Sequence, residues 1–114
     1  MAIFLGRAGY AVRGFELRAD PRQGAAAAGR SINLALSARG LQALGEARLR
    51  ETIVSLAVPM RGRMIHPERG APVFQPYGTA DWHANHSVSR ADLNLALLEA
   101  AENLQEVRFT FHPK

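Results

Sequence analysis

"AAAAGRSINLALSARG", residues 25–40, decides how the rest of the chain is read. Four alanines ordinarily lead into a helix, but Gly29 stops one here. From Ser31 to Leu36 the residues then alternate. Ile32, Leu34 and Leu36 fall on one side, and Ser31, Asn33 and Ala35 on the other, the period of a short strand with one covered face. Ser37 is placed to cap a helix carrying Leu41, Leu44 and Ala47. A following helix carries Leu49, Ile53, Val54 and Leu56, and Pro59 is expected to close it.

Working outward, the N-terminal side offers a short apolar helix, Ala2 to Leu5, with Gly6 and Gly9 as its candidate stops. Tyr10 to Leu17 reads as a strand that Gly14 weakens, and residues 18–29 as a loop of charges, alanines and glycines. On the C-terminal side, Met60–His66 and Ala71–Tyr77 read as a hairpin around Pro67-Glu68-Arg69-Gly70. A polar loop follows over 78–86. Ser89 with Asp92 three residues on then gives a helix start, ahead of Leu93, Leu97, Ala100, Ala101 and Leu104. Val107 to Phe111 is a closing strand. The order of elements says α/β, or mixed α+β, in a single domain spanning residues 1–114.

Composition narrows the function classes. The chain has 114 residues, 47% of them hydrophobic, as in an ordinary globular domain. No apolar run approaches the ~20 residues of a membrane span, and the N-terminus lacks the flanks of a signal peptide. There is no cysteine, which fits a reducing, cytoplasmic setting. The formal charge is +4, carried by arginines scattered along the chain rather than gathered on one face. That pattern disfavours nucleic acid as a partner and favours individual arginines that clamp carboxylate or phosphate groups of a small molecule.

Glu16 is the first candidate for chemistry. A carboxylate at the C-terminal end of the second strand of a βαβ nucleotide-binding unit accepts hydrogen bonds from ribose hydroxyls. Read alone, it is more simply an ordinary exposed strand-end glutamate. The unit also needs a first strand and a Gly-rich turn, and the chain holds no G-x-G-x-x-G. His83 and His86 form an H-x-x-H pair without a third ligand, so no metal site is expected. Trp82 and His83 are read as loop residues. Arg61 and Arg63 point to the same side of the hairpin, and spacing does not choose between them.

The segments "GFELRADPR", "GRSINLALSARGLQAL", "VPMRGRMIH", "QPYGT" and "SVSRADLNLALLEAAE" together resemble the kynurenine 3-monooxygenases, FAD-dependent aromatic hydroxylases. The resemblance runs in order from Met1 to about Lys114. It implies a partial FAD-binding, Rossmann-like domain, with the first strand and Gly-rich loop missing, joined to a β-hairpin from the substrate-binding region. On that reading the chain is an internal piece of the enzyme, truncated at both ends.

The resemblance further implies FAD contacts at Phe15, Glu16, Leu17 and Arg18, with Glu16 as the ribose acceptor. It adds Ala35, where small size lets backbone approach the cofactor, and Arg90 after "SVS". Arg63 and Tyr77 match the substrate-binding arginine and tyrosine, suited to an amino-acid carboxylate. NADPH is the implied reductant, L-kynurenine the substrate and 3-hydroxykynurenine the product. The flavin carries the chemistry, so no catalytic side chain is expected. The alternatives are a non-catalytic remnant or interaction module, and a sibling hydroxylase with another aromatic substrate. The truncated chain by itself is expected to be inactive and prone to self-association, or to pairing with a complementary chain, through an open sheet edge and exposed Ile3, Phe4, Val12 and Phe15.

Overall fold

The computed structural model describes residues 1–23, 32–80 and 84–112. Arg30, Ser31, Trp82 and His83 lie outside the described residues. Helix α1 (Ala2–Arg7) is followed by strand β1 (Val12–Glu16) and a single 3-10 turn, Pro21–Gln23. Then come β2 (Asn33–Leu36), α2 (Ala38–Glu46), α3 (Arg50–Leu56), β3 (Val58–Met60), β4 (Gly62–Ile65) and β5 (Val73–Pro76). The chain continues through β6 (Asn85–Ser89), α4 (Arg90–Glu102) and β7 (Val107–Phe111). The fold is mixed α/β.

Three small sheets organise these elements. Strands β1 and β7 pair in parallel, Val12 opposite Val107 through Glu16 opposite Phe111. Strands β2, β6 and β3 form an antiparallel sheet with β6 in the middle. Its inner row pairs Leu34 with Val88, and sets Leu36 and Pro59 on either side of His86. Strands β4 and β5 form the hairpin, Arg63 opposite Gln75 and Met64 opposite Phe74.

The core lies where the inner face of the β2–β6–β3 sheet meets the helices. Ile53 and Val88 are fully buried there with Leu41, Leu44 and Leu93, and Val107 of β7 is fully buried against α1 in the same cluster. No polar or charged side chain among the described residues is buried. The hairpin has almost no share in this core, and its residues from Arg63 to Tyr77 are all exposed.

Several expectations are corrected by this packing. Gly6 does not stop α1 but sits inside it, buried against β7; a Cβ there would lie 2.7 Å from Val107 Cγ2. The stop is Gly9, at φ +83°, with the Tyr10 N–H reaching back to the Leu5 carbonyl at 3.0 Å in a Schellman-type cap. Ile3 is buried rather than exposed because α1 packs onto α4 and β7, and Val12 packs against the same core. Phe4 and Phe15 are exposed as expected.

Ser37 holds the N-cap position of α2 in extended conformation, but its side chain makes no capping bond. Pro59 does not close α3. It lies in β3, at the sheet edge where a residue without an N–H is tolerated. The segment from His86 to Ser89, to which no strand is assigned from the sequence, belongs to the central strand of its sheet.

Candidate functional site

The predicted site residues fall into three groups, each built by a different element. The first stands at the C-terminal end of β1, the end of a parallel strand at which open α/β sheets bind ligands. Phe15 and Leu17 are exposed on either side of Glu16. Arg18 folds back over the Glu16 carboxylate, its Nε donating to Oε1 at 3.1 Å and an Nη to Oε2 at 3.3 Å. The Arg18 backbone N–H also donates to Oε1, at 2.9 Å. The hydrogen bonds from the Arg18 side chain are the main reason the Glu16 carboxyl is held below its ordinary pKa. A carboxylate offers about four acceptor positions. Three are taken here, which leaves one for a hydroxyl unless Arg18 turns aside.

Next to this pair is a network the sequence did not reveal. Asp20 takes a two-pronged grip from Arg22, Nε to Oδ1 at 2.8 Å and Nη2 to Oδ2 at 2.6 Å. Arg22 also pairs with Glu102 at the end of α4, and its guanidinium lies 5.7 Å from the centre of the Phe111 ring. Glu102 in turn accepts the Phe109 backbone N–H at 3.1 Å. The loop after β1 is thereby tied to both α4 and β7. Asp-Pro-Arg at 20–22 was a visible signal for a local turn, but its partner at 102 is eighty residues away.

The second group sits on the β2–β6 ladder. Ala35 is exposed opposite Ser87, and Asn33 opposite Ser89, so the outer face of this ladder carries only small and polar side chains. Arg90 follows directly as the first residue of α4. Its backbone N–H donates to the Ile32 carbonyl at 3.2 Å, which fixes it at the rim of the same face. The Ser89 hydroxyl accepts the Asp92 N–H at 3.5 Å, a long version of the expected cap. No hydrogen bond among the described residues joins this group to Glu16.

The third group is on the hairpin. Arg63 donates from Nε to Gln75 Oε1 at 2.7 Å, directly across the ladder. The two terminal nitrogens of its guanidinium have no protein partner among the described residues. Tyr77 follows β5, and its N–H bonds the Arg61 carbonyl at 2.9 Å. Alternation from that pair places Tyr77 on the face that carries Arg63. Tyr77 is 45% exposed. The structure thus brings Arg63 and Tyr77 together, and it supplies Gln75 as a brace that the sequence reading did not single out.

No family model matches the chain. Curated relatives do. One from Myxococcus xanthus named kynurenine 3-monooxygenase is 46% identical over 97% of this chain. Another of that name from Cytophaga hutchinsonii is 50% identical over 97%, and one from Stenotrophomonas maltophilia 47% identical over 90%. Over this span the chain is a homologue of the kynurenine 3-monooxygenases.

The 114 residues span about a quarter of the length of these kynurenine 3-monooxygenases: 24% of the Myxococcus protein and 25% of the Cytophaga one. The fold agrees. A solved structure of p-nitrophenol 4-monooxygenase PnpA from Pseudomonas putida superposes with a TM-score of 0.76 over 97% of this chain and 28% of that one. At 18% identity this likeness speaks for the fold alone. Among the described residues, no helix is long and apolar enough to cross a membrane.

Proposed function

We propose that these 114 residues form the part of an FAD-dependent kynurenine 3-monooxygenase that contacts both the cofactor and the substrate carboxylate. The observation that carries the reading is Arg63. Its Nε is occupied by Gln75, so the guanidinium is held in place with its two-nitrogen edge free, the edge that receives a carboxylate in a bidentate pair. The phenol of Tyr77 shares that face. L-kynurenine is an amino acid whose carboxylate would take this position.

The residues also suit the cofactor. Glu16 offers its remaining acceptor position to a ribose hydroxyl at the C-terminal end of a parallel strand, between the exposed Phe15 and Leu17. Arg18 holds that carboxylate ionised. Ala35, opposite Ser87, leaves a face of the β2–β6 ladder that a flat group can approach closely, and Arg90 adds a cation at its rim. FAD, reduced by NADPH, supplies the oxygen chemistry when bound. The work of this chain's residues is to bind and orient, and none is assigned as nucleophile or general base. A partial Rossmann-like arrangement around β1 and β7 is part of the same proposal. So is the inactivity of the 114 residues alone, since their sequence holds no Gly-rich turn to cradle a pyrophosphate.

The name shared by the curated relatives favours the kynurenine reading over a sibling hydroxylase. The test is to replace the matching segment of the Myxococcus xanthus relative with this chain and assay the purified graft. Bound flavin and NADPH oxidation stimulated by L-kynurenine are expected. A graft that holds flavin but responds only to a different aromatic acid would favour the sibling reading.

A further inference from the structure

A second arginine pair stands apart from Arg63, where β3 passes into the hairpin. Arg50 opens α3 and Arg61 follows β3; both line an open cavity of about 360 Å³ together with Leu41, Val54, Pro59, Ala84 and His86. That volume is within the range of small-molecule sites. Among the described residues the lining contains no acidic side chain. Neither guanidinium has a hydrogen-bond or ion-pair partner among the described residues. An anion held in the cavity would give both arginines a partner.

His86 adds a donor. It lies on the inner row of the central strand, opposite Pro59 and Leu36. Its Nδ1 is buried with no hydrogen-bond partner among the described residues, and the residue lines the cavity. The remaining wall, Leu41, Val54 and Pro59, is apolar.

We infer that this cavity is a phosphate-binding site, in which Arg50, Arg61 and His86 hold a tetrahedral dianion and the apolar wall accepts the group esterified to it. One guanidinium satisfies a planar carboxylate. Two guanidiniums and an imidazole arriving from three elements suit an anion with oxygens pointing in several directions. The proposal does not rest on the flavin reading, and Arg63 is not among the residues lining the cavity.

The test titrates the 114-residue chain with inorganic phosphate, phenyl phosphate and benzoate, followed by NMR of backbone and imidazole nitrogens. Both phosphates are expected to bind saturably, phenyl phosphate the tighter through its ring, with benzoate the weakest. If inorganic phosphate equals phenyl phosphate, the site takes the free ion; tighter phenyl phosphate marks an ester. Arg50→Gln and Arg61→Gln should each weaken binding about tenfold or more. His86→Gln should weaken it less. Arg13→Gln removes the same charge on β1 and should change nothing. Absence of saturable binding, equal loss in Arg13→Gln, or benzoate binding as tightly as phenyl phosphate would overturn the assignment.

Discussion

Arg18 covers the Glu16 carboxylate from two residues away, with its Nε 3.1 Å and its backbone N–H 2.9 Å from the same oxygen. The pair turns a strand-end glutamate into a fixed, partly exposed anion. Because these bonds favour the charged form, the folded pKa of Glu16 is lowered from the usual 4.5. The contribution to stability is therefore present above the unfolded value and is lost as pH falls through the folded one. NMR titration of the Glu16 carboxyl should find its midpoint below 4.5, and Arg18→Ala should return it towards that value. A midpoint unaffected by Arg18→Ala would remove Arg18 from the site.

Glu16→Ala should weaken FAD binding in the grafted enzyme, because the ribose would lose a hydrogen bond to a charged group. Equilibrium dialysis against FAD measures it. Unchanged affinity would leave Glu16 as a strand-end residue held by Arg18.

Gly6 carries a packing prediction. Alanine normally favours a helix over glycine by about 1 kcal/mol. Here the added Cβ would meet Val107 Cγ2 at 2.7 Å and Leu104 Cδ1 at 3.0 Å, and Val107 is fully buried with nowhere to move. Overpacking costs of about 1–3 kcal/mol therefore outweigh the helix gain. Gly6→Ala should lower the urea midpoint of the 114-residue chain, whereas the same change at Gly45, on α2 with open space around it, should raise it.

Ile53 anchors α3 beneath the β2–β6–β3 sheet with no exposed surface. Truncation leaves a cavity lined by residues held in other elements, so Ile53→Ala should cost about 2–5 kcal/mol. Val54 on the same helix is 36% exposed, and Val54→Ala should cost far less. Equal losses in chemical denaturation would mean that α3 does not dock as described.

Much of the fold was legible because its elements repeat apolar residues at the right period. The strand at 33–36, the helices over Leu41 and Leu93, the hairpin and the closing strand were all found within a few residues of their bounds. What escaped notice depended on distant contacts. His86-Ser87-Val88-Ser89 has a single apolar residue, and it is a central strand only because Leu34, Leu36 and Pro59 arrive on either side. Gly6 carries a stop signal in isolation, and only Val107, a hundred residues later, explains it as a close-packing position.

The site divides in the same way. Arg63 and Tyr77 share a face by hairpin register, which the sequence already allowed. Local spacing did not separate Arg61 from Arg63. The structure does, placing Arg61 on the cavity with Arg50 and bracing Arg63 on Gln75. The partnership of Arg22 with Glu102 had no sequence signal at all.

The central claim is that cofactor and substrate contacts sit on separate parts of this chain, Glu16 on β1 and Arg63 on the hairpin. Flavin content and L-kynurenine affinity, measured side by side on Glu16→Ala and Arg63→Ala in the grafted enzyme, test it most directly. Arg63→Ala should keep its flavin and lose roughly 2–4 kcal/mol of kynurenine binding, the cost of leaving a carboxylate without its charged partner. Glu16→Ala should show the reverse order of loss. An Arg63→Ala protein that sheds flavin while retaining kynurenine affinity would contradict the account.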